Sequence, residues 1–171
     1  MRGRTHNSAS SAISDQRAAR SGGSKVPGGR IRRMSLYTDI GGFDRVLALC
    51  QAWQARLRED PLAFHPFEHG THPQHEERLA AYLAQAFGGP PLYTAGYGDE
   101  SSVQRTHACN GEHAELDEAC LAAFDRAVAD VGLTGDVGQR VSAYFRRATI
   151  AQRRYATPAT PVPDGLPFNY E

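Results

Sequence analysis

The sequence predicts an all-α fold on three observations. Apolar residues recur at intervals of three and four along four separate stretches, glycine and proline clusters cut those stretches apart, and almost nothing alternates with the two-residue period of a strand. At 171 residues with 40% apolar content, the chain has room for one domain around a single core.

Residues 1–33 hold eight Lys and Arg against one Asp and few large apolar side chains, so they read as a disordered basic extension, a solvated tail with at most weak contact to anions. This Ser-, Gly- and Arg-rich stretch lacks the apolar segment of a secretory signal, and Met34 is an alternative start. The first long helix is expected over about 43–58, after Gly41-Gly42, with Phe43, Val46, Leu47, Cys50, Trp53 and Leu57 on one stripe. A second stripe, His75, Leu79, Tyr82, Leu83, Ala86 and Phe87, begins behind Pro73 and stops at Gly88-Gly89-Pro90-Pro91.

A third stripe runs through Leu116, Cys120, Ala123, Phe124, Ala127 and Val131, with Glu112 and Glu115 near its start and Gly132 after its end. The fourth, Val137, Val141, Tyr144, Phe145 and Ala148, follows Asp136 and fades near Tyr155. Four such helices must bury their stripes against one another. Between the second and third, residues 90–111 show no clear period; roughly 20 such residues in a compact domain mark a functional loop or a short helix without a stripe. Residues 156–171 form a Pro-rich C-terminal tail in which Pro158, Pro161, Pro163 and Pro167 exclude a continued helix, while Phe168 and Tyr170 can dock on the body.

The 19 basic and 19 acidic residues balance, which removes the long-range attraction of a basic protein for nucleic acid or an anionic membrane. No apolar run reaches the roughly 18 residues of a spanning helix. Three cysteines without regular spacing form no disulfide framework, and a reducing cytoplasm is the expected location.

The densest local chemistry is HPFEHGTHPQH, with His65, His69, His72 and His75. Such a tract, helped by His107, Cys109 or His113, would suit zinc or nickel in a histidine-rich metal-binding helical protein, yet neither CxxC nor HExxH accompanies it. The plainer reading is solvated loop histidines at 65, 69 and 72, with His75 pointing inward one turn before Leu79. His107 follows Arg105 in a segment poor in apolar anchors and would on its own be a surface residue. Cys109 has no evident base beside it, and Cys50 and Cys120 lie on apolar stripes as small buried side chains, so a cysteine nucleophile is not expected.

Over about residues 35–155 the chain resembles the truncated, two-over-two haemoglobins. LYTDIGGFDRVL is similar to their opening segment, REDPLAFHPF to the crossing into the haem pocket, and EERLAAYLAQAFGGPPLYTAGYGD to the second helix and loop, where GGPxxY is closest to group II. The resemblance implies a truncated globin domain over 34–155 that packs two helix pairs around haem b. QRTH matches the segment that carries the proximal histidine, which implies His107 as iron ligand. By the same matching Phe67 packs on the porphyrin and Leu79 faces the bound ligand. His75 takes the distal histidine position, as hydrogen-bond donor or sixth ligand. Arg78 and Arg105 suit the haem propionates, and Tyr93 lies on the same side.

Two positions depart from the family pattern. The usual distal tyrosine aligns with Gln54, beside Trp53, and the group II tryptophan of the third helix aligns with Cys120. Gln54 and His75 are expected to supply the missing donors. The implied activity is binding of oxygen or nitric oxide, with nitric oxide dioxygenase or peroxidase-like detoxification open to the same iron. The implied partners are a diatomic gas and an unidentified reductase, with the chain a monomer or homodimer.

Overall fold

The computed structural model describes residues 34–68 and 70–171. The expected disordered extension at 1–33 and the candidate His69 lie outside the described residues.

Helix α1, Leu36–Ile40, begins at Ser35, whose hydroxyl accepts the Thr38 N–H at 3.3 Å, and ends at Gly41 with φ 104°. Helix α2 spans Phe43–Leu57. Asp60 caps the short α3, Pro61–Phe64, which tightens into a 3-10 turn at His65–Phe67. Helix α4, His75–Ala86, closes as a Schellman motif: Gly88, at φ 84°, donates to Gln85 O at 3.0 Å and Gly89 to Ala84 O at 2.9 Å.

Helices α5, Leu92–Gly96, and α6, Glu100–His107, fill the stretch that lacked a period. The first has five residues, too few to show one. The second, ESSVQRTH, has Val103 as its one large apolar residue, so no stripe announces it; it starts instead from a capping box between Asp99 and Ser102. Helices α7, Ala114–Asp130, and α8, Gly135–Gln152, complete the order, and α8 runs into a 3-10 turn at Arg153–Tyr155.

Helix α2 packs mainly on α4 and α7, and α7 pairs with α8. The result is a two-over-two helical sandwich; among the described residues there is no strand. Val46, Leu49, Leu57, Leu83, Phe87, Phe124, Val141 and Tyr144 are fully buried between the layers. Trp53 crosses the layers with ring centroids 5.2 Å from Phe145 and 6.1 Å from Phe124, while those two rings stack at 3.7 Å.

The tail lies along the body without helix. Its Leu166 N–H reaches Ser101 Oγ at 3.0 Å, Asn169 O accepts from the Tyr144 hydroxyl at 2.8 Å, and the Glu171 N–H reaches Ala86 O at 2.9 Å. Phe168 docks as expected, 4.9 Å from the Tyr82 ring, whereas Tyr170 stays 56% exposed and touches Phe168. Among the described residues no helix is long and apolar enough to cross a membrane.

Candidate functional site

The turn at His65–Phe67 aims Phe67 at the start of α4, where its ring meets His75 edge-on at 5.6 Å and Trp53 at 6.1 Å. His75 is half-buried and its Nδ1 is buried without a hydrogen-bond partner. Gln54, on α2 and 5% exposed, carries a second such atom, Oε1. Buried polar atoms are normally paired, because each orphan costs about 1–3 kcal/mol. His75 Nδ1, on the ring that meets Phe67, and Gln54 Oε1 are two of three such atoms among the described residues, the third being Gln104 Oε1, and an additional group would supply the partners they lack.

Burial pushes the His75 imidazole below its ordinary value, opposed by Glu76 and reinforced by His107, Arg78 and His72. His75 is thus neutral at neutral pH, and His107 is near enough to act on its charge. His107 is the last residue of α6, and its ring is exposed. Its Nδ1 lies 2.9 Å from Val103 O. A carbonyl only accepts, so in the neutral ring Nδ1 carries the proton and Nε2 the lone pair, the tautomer in which Nε2 can bind a metal.

The remaining candidates take the following places. Arg78 lies over the Tyr97 ring, 5.2 Å from its centroid, and Arg105 pairs with Asp164 of the tail. Tyr93 is buried, 5.3 Å edge-on to Tyr82. The Trp53 indole donates to Cys120 O at 3.1 Å, which ties α2 to α7 at that level. Burial, with Asp117 and Asp60, pushes the Cys120 thiol up to about 11, and burial raises Cys50 further; neither is a thiolate at neutral pH.

The described histidines of the tract do not converge. His65 faces Glu68 at 3.1 Å, His72 Nδ1 accepts the Gln74 N–H at 3.1 Å, and His113 turns onto Asn110 O. Among the described residues no three His, Cys, Asp or Glu side chains are grouped to hold a metal ion. Sequence reasoning missed Glu100 and Gln104, which are buried on α6 at 4% and 8% exposure. The available signal was their spacing of four residues, continued three further on by His107.

These residues fit a flat, largely apolar macrocycle with an iron at its centre. An oriented imidazole could hold the metal, an aromatic and an aliphatic side chain could flank the ring, and two unpaired polar groups could contact a ligand. The family model of the bacterial-like globins matches residues 35–150. The chain belongs to that family.

This globin is similar to several solved structures. The haemoglobin of the thermophilic phototrophic bacterium Chloroflexus aurantiacus is 25% identical, with 70% of this chain and 97% of that one covered at a TM-score of 0.62. The thermostable haemoglobin of the actinobacterium Thermobifida fusca is 27% identical, with 70% and 96% covered at 0.58. The group II truncated haemoglobin of Bacillus anthracis, 21% identical with 77% and 96% covered at 0.62, shares the fold. No curated protein sequence matches the globin significantly. Membership of the family implies haem and the binding of a diatomic gas.

Proposed function

We propose that this globin binds oxygen or nitric oxide reversibly at haem b, with His107 as the proximal iron ligand and with His75 and Gln54 as donors on the distal side. Haem supplies the open iron position that a diatomic gas occupies. The observation that carries the assignment is the His107 ring, whose Nδ1 is committed to Val103 O and whose Nε2 is left for the metal.

The distal residues act through their polar atoms. A neutral His75 offers one donor and one acceptor, and half a turn of the Gln54 amide presents its N–H where Oε1 now lies unpaired. Phe67 and Leu79 keep water from the ligand. Arg78 and Arg105 are the cations suited to the propionates, Arg105 by exchanging or sharing Asp164.

Absorption spectroscopy of the purified protein tests the reading. A strong Soret band is expected in the wild type and its loss or marked weakening in His107→Ala. Stoichiometric zinc or nickel with no Soret band would overturn it.

A further inference from the structure

All three buried residues of α6, the helix that carries His107, are polar: Glu100, Ser101 and Gln104. Val103 adds a partly buried apolar contact. A helix normally docks by an apolar stripe. With so little apolar area, the position of α6 depends on where its polar groups find partners.

Glu100 gathers most of them. Its Oε2 accepts from the Tyr82 hydroxyl of α4 at 2.9 Å and from the Asn169 N–H of the tail at 3.2 Å, and its Oε1 accepts from Gln104 Nε2 at 2.7 Å. The next residue, Ser101, accepts the Leu166 N–H at 3.0 Å. Leu166–Glu171 is thereby a strap tied to α6 at two successive residues, and it is fixed in turn by Tyr144, Ala86 and the Phe168 ring. The strap lies beyond residue 150, where the family match ends.

Hydrogen bonds to a carboxylate are about twice as strong as those between neutral groups, and they are directional. The two bonds that Glu100 receives from outside the helix, from Tyr82 and Asn169, therefore constrain both the depth and the tilt of α6. His107 lies two turns further along the same helix and is held to it by Val103 O, so its ring moves with the helix.

We propose that Glu100 is a positioning residue for His107, and that the strap Leu166–Glu171 and Tyr82 are the fixed points it works against. This rests on the reading of His107 as the iron ligand. Through the helix these bonds would hold the His107 ring in place, and with it the bond that Nε2 would make to iron.

Resonance Raman spectra of the ferrous, haem-loaded full chain read that bond through the iron–histidine stretch, and haem transfer to excess apomyoglobin reads retention. Glu100→Gln is expected to shift or split the band and to speed haem loss on the order of 10-fold. Tyr82→Phe keeps the ring and removes one donor; it should shift the band in the same direction by less. The exposed control Glu112→Gln should match the wild type.

An unmoved band in both variants overturns the proposal, even if their unfolding midpoints fall, because a purely structural network would lower stability without altering the bond. If Glu100→Gln does not fold, Tyr82→Phe decides by the same criterion. A wild type without the band, or a band that survives His107→Ala, overturns the ligand assignment instead.

Discussion

Gln54 Oε1 and His75 Nδ1 are buried without partners, and that cost has to be offset somewhere. A ligand at the iron would offset it, which yields a trade-off to measure. In the double variant Gln54→Leu, His75→Leu, each lost hydrogen bond to ligand is worth about 1–1.5 kcal/mol, so ligand dissociation should quicken roughly 30- to 150-fold. The ligand-free unfolding midpoint should hold or rise, because two orphaned polar groups have gone. Flash photolysis or stopped-flow mixing reads the first effect and urea titration the second; an unchanged dissociation rate would remove both residues from the distal role. The inward direction of His75 was legible from its place one turn before Leu79. Gln54 was not, since a polar side chain between Cys50 and Leu57 leaves no mark on an apolar stripe, and only the match to a known family singled it out.

At the scale of elements, what was legible follows apolar burial. The first long helix, expected over about 43–58, is Phe43–Leu57, and the second stops at its glycine pair because Gly88 takes the left-handed turn. Helix α6 stayed hidden for the complementary reason: a helix that docks through Glu100, Ser101 and Gln104 has no apolar period to find. Gly89 tests the geometry of the break. A Cβ there would stand 2.7 Å from Ala84 O and 2.7 Å from the Tyr37 ring, and although a ring can yield, the carbonyl belongs to the helix end it would have to unwind. Gly89→Ala should therefore cost about 1–3 kcal/mol in urea unfolding. Gly96→Ala, with nothing within 4 Å of the added carbon, should leave the midpoint level or slightly higher; equal effects would mean that the crowding at Gly89 is not what fixes the turn.

At the scale of the molecule, the four long helices close the core and the tail completes one side of it. The docking of Phe168 was legible as an aromatic in a Pro-rich segment, but its seat against Tyr82 and the bonds from Asn169 to Glu100 and Tyr144 join residues far apart in the chain, which no local pattern encodes. A chain ended after Gly165 separates the two layers of stability. It keeps every helix and the whole family-matched stretch, so it should still fold, but it loses a partly buried aromatic worth about 2 kcal/mol and one of the donors at Glu100. The loss should be uneven. Amide exchange should accelerate most in α6, which has little else to hold it, and least in α2 and α7, whose packing the tail does not supply. Uniform acceleration along all helices would instead mean that the strap contributes to one cooperative core, and no acceleration would mean that α6 is held by Val103 and Gln104 without it.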